Sequence, residues 1–199
     1  FMQAHFKEFA AHITETFLRD QSSPFVVELG SNDGIMLHNF AAAGIRHLGI
    51  EPSANVASVA RQNGVDTISV FFGETTANEI SDKHGKASAI LAANVMCHIP
   101  NIHDVARGVR SLLADDGVFV FEDPYLGDMI EKTSYDQIYD EHVFVFSALS
   151  VSDAFARQGL ELIDVAPQIT HGGSMRYTLA PRGSRPVSPA VTVLFESER

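Results

Sequence analysis

The chain has 199 residues, 45% of them hydrophobic and 20% charged, with a mean hydropathy of +0.04; this suits one well-cored domain. A net charge of −11 leaves no basic face for non-specific nucleic-acid binding, although helix N-termini and a few arginines still suffice for a small anionic ligand. Cys97 is the single cysteine, no apolar run nears the ~18 residues of a membrane span, and the first residues lack a signal-peptide pattern, so no disulfide, no cysteine-rich zinc module, no membrane partner and a cytoplasmic location are expected.

Residues 1–24 read as an N-terminal helix with the exit loop "DQSSP". "FVVEL" (25–29) is a continuous apolar run and reads as a buried strand. "GIMLHNFAAAG" has helical spacing and stops at Gly44. "HLGIE" (47–51) is a second strand and "NVASVARQNG" a second helix. "DTISVFF" predicts a third strand, followed by a helix reaching His84. "ASAILAA" (87–93), a helix over "NIHDVARGVRSLLADDG" and the strand "VFVFE" (118–122) complete the alternation. Continuous apolar strands separated by helices predict a mostly parallel sheet covered on both faces, an α/β fold.

After Glu122 the rhythm breaks. Residues 123–146 form an insertion, "SALSVSDAFARQG" reads as a helix, and "LELIDVAP" and "SMRYTLA" read as strands joined by "QITHGG". Two strands with no helix between them predict a terminal antiparallel hairpin. "PRGSRPVSP" reads as a linker, so that the domain spans 25–181 and 182–199 is a linker or the start of a further segment.

The first strand runs into "VELGSNDG", where Glu28, Gly30 and Gly34 stand at a strand-to-helix turn that lets the backbone approach a ligand closely. The spacing is not G-x-G-x-x-G, so a nicotinamide-dinucleotide site is disfavoured. Glu51 ends the second strand about twenty residues on, the place of an acid that accepts ribose hydroxyls. Phe72, at the end of the third strand, is a candidate to pack on adenine, and Asn94, at the end of the fourth, to contact the rest of a nucleoside cofactor. The insertion holds "YDEH", in which Tyr139, Asp140, Glu141 and His142 are adjacent. Such a cluster is costly to bury without partners and ordinary in a solvated loop.

Taken together, "ELGSNDGIML", "GIEPS", "AANVMCHIP", "FEDPYLGD", "QIYDEHVFVFS" and "HGGSMRYTLA" resemble the sugar C-methyltransferases that act on dTDP-linked 4-keto deoxyhexoses. The resemblance covers 25–181. It implies the class I methyltransferase fold, a Rossmann-like, mostly parallel seven-stranded sheet ending in an antiparallel hairpin. It also implies S-adenosylmethionine as cofactor, held by Glu28, Gly30, Gly34, Glu51, Phe72 and Asn94. His142 falls on the family's proposed base, with Tyr139, Glu141 and His98 in the same pocket. His171 and Arg176, in "HGGSMR", are candidates for substrate contact, and no metal is implied.

That assignment fits the chemistry. The methyl donor is already electrophilic, so the protein must create a nucleophile, and carbon beside a ketone becomes one on losing its proton. This needs a neutral base near the C–H and a donor aimed at the developing oxyanion. Histidine, with a reference pKa near ~6.5, suits the first role, and a phenol the second. Full-length family members carry a cysteine-rich zinc module before the methyltransferase core and another domain after it, and this chain lacks the cysteines for the first. The competing readings are an O-methyltransferase of small natural products and a cofactor-binding module without turnover.

Overall fold

The computed structural model describes residues 1–199, the side chain of Tyr135 excepted. Seven strands form one sheet: β1 (Phe25–Leu29), β2 (Arg46–Ile50), β3 (Thr67–Ile68), β4 (Ala87–Ala93), β5 (Leu113–Pro124), β6 (Leu160–Gln168) and β7 (Ser174–Pro181). Their spatial order is β3-β2-β1-β4-β5-β7-β6. The first five strands run parallel, and β7 lies antiparallel between β5 and β6. The expected mixed sheet and terminal hairpin are therefore both present.

Strand alternation divides the core in two. Val26, Ala89, Leu91, Val118 and Val120 face α1 (Met2–Ile13), α2 (Leu37–Ala42) and α3 (Ala54–Gln62). Val27, Ile90, Phe119 and Phe121 face α4 (Glu74–His84), α5 (Ile102–Leu112), α7 (Ala148–Ala156) and α8 (Pro189–Ser197). The remaining helix, α6 (Leu126–Lys132), opens the insertion after β5. Burial on both faces is why the central strands are mostly apolar rather than alternating. The chain leaves β1 toward one side of the sheet and β4 toward the other, so a crevice opens at their carboxyl ends.

Two expectations are corrected, and one helix is added. The third strand is only Thr67–Ile68, because β2 offers this sheet edge just the pairings at Gly49 and Ile50, and "SVFF" lies beyond it. β5 begins at Leu113 rather than after the "DDG" turn. After the "PRGSRPVSP" stretch the last residues carry α8, started by Pro189 and capped by the Ser188 hydroxyl, which accepts from the amide of Ala190. The Glu198 carboxylate ties this helix down by accepting from the amides of Ala148 (2.7 Å) and Leu149 (2.8 Å) and from the Tyr125 hydroxyl (3.0 Å).

Candidate active site at the carboxyl edge of the sheet

The loop after β1 folds against the ends of β2 and β4. The amides of Gly30 and Ser31 both donate to the carbonyl of Ile50. Gly30 has φ 61°, and a Cβ there would stand 2.5 Å from Val95 Cγ2, so only glycine lets this loop close on the segment after β4. Gly34 is needed for another reason. Its Cβ would stand 2.8 Å from Val65 Cγ2, which places it in the packing of the loop before β3. The Glu51 carboxylate is fixed by two backbone donors, Asn32 at 3.0 Å and Ser53 at 2.8 Å. Glu28 is buried with Oε2 unpartnered, and burial raises its pKa well above the usual carboxylate value. Asn94 Oδ1 and Ser31 Oγ are also buried without partners. Orphaned acceptors around a cradle that admits no Cβ are the features a nucleoside and amino-acid cofactor would satisfy.

Backbone conformation marks the same edge. Asn32, Asn94 and His171 are three of the four non-glycine residues with positive φ, at 52°, 55° and 52°. Such conformations persist only where the surroundings enforce them, and they gather at functional sites. Phe72 is half-buried, with its ring edge over Gly108 of α5, whereas Phe71 is 81% exposed.

The insertion returns to the crevice through a turn. The His142 amide donates to the carbonyl of Tyr139, and the two rings stack with centroids 4.1 Å apart. His142 Nδ1 lies 2.9 Å from the Gln137 carbonyl, which can only accept, so this nitrogen carries the hydrogen. The lone pair is therefore on Nε2, where the Tyr139 hydroxyl donates at 2.9 Å. His98 is set the same way, with Nδ1 donating to the Glu141 carbonyl at 2.8 Å and Nε2 left as the acceptor. The two imidazoles have centroids 4.9 Å apart. Loss of hydration, with Cys97 and Glu141 nearby, raises the Tyr139 phenol above its usual value and keeps it a donor. The side chains of Asp140 and Glu141 are exposed, and Glu141 enters the cluster through its carbonyl.

His171 lies at the surface in the hairpin turn between β6 and β7; partial loss of hydration and then the proximity of His142 lower its pKa. Arg176 is turned inward. Its Nε and Nη2 reach Glu122 Oε1 at 2.6 and 2.5 Å, and its guanidinium lies 3.9 Å over the Phe9 ring. His5 of α1 meets the other oxygen of Glu122 at 2.6 Å. Helix α1 is thereby fastened across the carboxyl edge, where Met2 and Phe6 join Ala93, Asn94, Glu122, Thr170, His171 and Ser174 around a narrow cavity.

The sequence reading missed His5, Glu122, Val95, Gln137 and Asp123. Only Glu122 and Asp123 carried a signal, as adjacent acids ending a buried strand. One donor atom each of Cys97, His98 and His142 lies within 4.8 Å of the others, a spacing a metal could use. Burial and the neighbouring Asp123 push the Cys97 thiol up, so it is held protonated and is a poor ligand.

A family profile described as "Methyltransferase domain" matches residues 2–165. The chain is 40% identical over 175 residues to the C-methyltransferase NovU of Streptomyces niveus, which covers 87% of this chain and 42% of that protein. It is 26% identical over 99 residues to a ubiquinone biosynthesis O-methyltransferase of Glaesserella parasuis serovar 5 (strain SH0165), covering 47% of this chain and 42% of the relative. The chain thus spans less than half the length of these relatives. In fold it is similar to the magnesium protoporphyrin IX methyltransferase of Synechocystis PCC 6803 solved with bound SAH, with a TM-score of 0.66 at 13% identity, covering 89% of this chain and 82% of that one. No helix is long and apolar enough to cross a membrane.

Proposed function

The chain belongs to the methyltransferase-domain family, with S-adenosylmethionine as its cofactor, and from that premise we propose that it methylates the carbon alpha to the ketone of a nucleotide-linked 4-keto deoxysugar. The observation that carries this reading is the Tyr139–His142 pair, a lone-pair nitrogen and a phenol donor bonded to each other at the crevice. Similarity to NovU, a C-methyltransferase, supports carbon as the acceptor.

In this reading Glu51 receives the ribose hydroxyls, while Glu28, Gly30 and Asn94 line the methionine portion. The cofactor, when bound, supplies an electrophilic methyl group. The chain's own residues then create the nucleophile. When the ketone oxygen arrives, the Tyr139 hydroxyl turns from His142 Nε2 to that oxygen. One rotation thus aims a donor at the developing oxyanion and frees the base beside the C–H. His142 Nε2 takes the carbon-bound proton, its Nδ1–H still held by the Gln137 carbonyl, and the electron pair moves into the enolate. The enolate carbon accepts the methyl group, and the proton leaves from the imidazolium. His98, whose Nε2 is also an acceptor, is the second candidate base. Glu141, whose side chain is exposed, serves this reading through its carbonyl, which orients His98. With the donors of Arg176 directed at Glu122, His171 is the better-placed of the two residues expected to touch the sugar.

The test incubates the chain with S-adenosylmethionine and a panel of dTDP-linked 4-keto sugars. Mass spectrometry and NMR should find one added methyl group, on carbon beside the ketone. Without the methyl donor, the hydrogen alpha to the ketone should exchange in deuterated water. A methyl group found on oxygen would favour a second reading, small-molecule O-methylation, which the ubiquinone-pathway relative supports and which the same imidazole could serve. Cofactor binding with no transfer to any substrate would leave a binding module.

A further inference from the structure

A nucleotide-linked sugar brings a diphosphate, and a chain of net charge −11 has to meet that charge locally. Within 123–181, the stretch that holds the insertion and the hairpin, the lysines and arginines are Lys132, Arg157 and Arg176. Arg176 directs its donors at Glu122. Arg157 stands just before β6, whose first residue pairs with Pro181 at the amino edge of the sheet, away from the crevice. Lys132 is left. It ends α6, and its Nζ donates to the Gly172 carbonyl at 2.8 Å, beside His171, and to Asp128 Oδ2 at 3.1 Å. An ammonium has three donors, so one remains, on a side chain that is 50% exposed. Asp128 in turn packs against Gly173, where a Cβ would not fit. The glycines of "HGGS" thus seat the end of α6 on the hairpin turn and bring the ammonium to the edge where His171 and His142 lie near each other.

A groove of about 230 Å³ borders this lysine, lined by Leu126, Met129, Ile130, Thr133, Ser134 and Ile138. It is smaller than the ~300–1,000 Å³ of a site for a drug-sized ligand and suits a single ring system. Ile130 and Ile138 are 71% and 67% exposed, two large apolar side chains in water that a flat ring laid against them would cover. Thr133 is the fourth non-glycine residue with positive φ, at 55°. Glycine or asparagine usually ends a helix in this way, and the conformation is unfavourable for a β-branched residue. The same kind of strain marks Asn32, Asn94 and His171 at the crevice. Ile138 stands between Gln137, whose carbonyl holds His142 Nδ1, and Tyr139, which donates to His142 Nε2, so the groove adjoins the reacting pair.

We propose that Lys132 and this groove form the subsite for the nucleoside-diphosphate end of the substrate: the ammonium meets the diphosphate, and the nucleobase lies against Ile130 and Ile138. Lys132 borders the groove through Thr133 and is bonded beside His171 through Gly172, just as a diphosphate joins its base to its sugar. Asp128 competes for the ammonium, but a half-exposed pair of this kind is weak enough for a diphosphate to displace. The subsite rests on the reading of the substrate as a nucleotide-linked sugar and deepens it, by naming the groups that hold the nucleotide.

The probe is dTDP, titrated calorimetrically into the chain with S-adenosylhomocysteine present, so that binding is read without methyl transfer. Lys132→Ala should weaken dTDP ~10–100-fold, the scale of a lost charge-assisted hydrogen bond, and Lys132→Arg should recover most of that loss. Added salt should weaken dTDP less in Lys132→Ala than in wild type. Ile130→Ser combined with Ile138→Ser, at two exposed positions, should also weaken dTDP while Tm stays near wild type. In turnover of a dTDP-linked 4-keto sugar, Lys132→Ala should raise KM far more than it lowers kcat, the sign of binding shared by ground and transition states. Wild-type dTDP affinity in Lys132→Ala would overturn the inference, and a lowered Tm beside it would leave Lys132 a helix-end lysine tied to the hairpin. Self-association that the isoleucine substitutions abolish, with dTDP affinity unchanged, would give the groove to a second copy and overturn it as well. The two levels of failure are distinct. If dTDP-linked sugars are methylated while Lys132→Ala binds dTDP as wild type does, this subsite alone is wrong. If wild type neither binds dTDP nor methylates any dTDP-linked sugar, the substrate reading has failed and the subsite falls with it.

Discussion

Glu122→Gln should be costly, and the structure indicates by how much. The wild-type carboxylate is 4% exposed and takes Arg176 at 2.6 and 2.5 Å on one oxygen and His5 at 2.6 Å on the other. The Arg176 side chain is only 11% exposed, so removing its counter-charge leaves a buried cation with the Phe9 ring as its remaining support. Breaking such a pair from one side costs ~3–5 kcal/mol. Glutamine keeps one acceptor oxygen for arginine, which argues for the lower end, ~3 kcal/mol. The assay is urea denaturation, where the midpoint should fall with little change in the slope. Because His5 is the tie from α1 to the sheet, limited proteolysis within residues 1–24 should quicken as well. His5→Ala and the double variant complete a cycle: a coupling of at least ~0.5 kcal/mol marks the three side chains as one unit. A loss below ~1 kcal/mol, the range of an exposed pair, would refute the reasoning that this cluster is a buried latch.

Glu51→Ala should weaken S-adenosylhomocysteine by ~1.5–3 kcal/mol, the range for hydrogen bonds to a charged acceptor, and an unchanged calorimetric Kd would move the ribose elsewhere. Gly30→Ala combines a left-handed backbone penalty of ~1–2 kcal/mol with a Cβ placed 2.5 Å from Val95, and should lower both Tm and cofactor affinity; wild-type values for both would contradict the tight cradle. His142→Asn should leave cofactor binding intact, cut turnover ~10²–10⁴-fold and abolish solvent exchange alpha to the ketone. If exchange and turnover persist, His98 becomes the base.

The parts of the fold that were legible in the sequence are those where one physical cause dominates. Runs that are apolar but for Glu28 at Phe25–Leu29 and Ser88 at Ala87–Ala93 mean burial on both faces, and the structure buries them so up to Ala93, which is half-buried. The third strand was overestimated because "SVFF" has strand composition but lies past the reach of its only partner, β2. Helix α8 was hidden because its start looks like linker composition, and what stabilises it is distant: Glu198 bridging to the amides of α7. Phe72 illustrates the same limit. An aromatic at a strand end fits an adenine contact or a helix contact equally well, and the sequence does not display the space over Gly108 that receives one edge of this ring.

The tetrad shows how much of a site a motif can carry. Neither the bland reading nor the catalytic one applies to all of it. The turn that brings the His142 amide back to the Tyr139 carbonyl turns those two rings onto each other, with the phenol 43% exposed and the Asp140 and Glu141 side chains in solvent and without a part in the pair. The solvated-loop description fits the two acids, while the phenol and the imidazole form the pair with chemistry to offer. That division follows from a spacing of three residues, which the sequence displays. What it does not display is the direction of the lone pairs. Those are set by the carbonyls of Gln137 and Glu141, and the segment is held by the carbonyl of Cys97. Backbone carbonyls have no residue signature, so side-chain motifs nominate His98 and His142 while the chain trace decides which nitrogen each presents. A substitution that leaves every motif residue intact but shifts the 95–98 turn should therefore impair the site as surely as losing an imidazole.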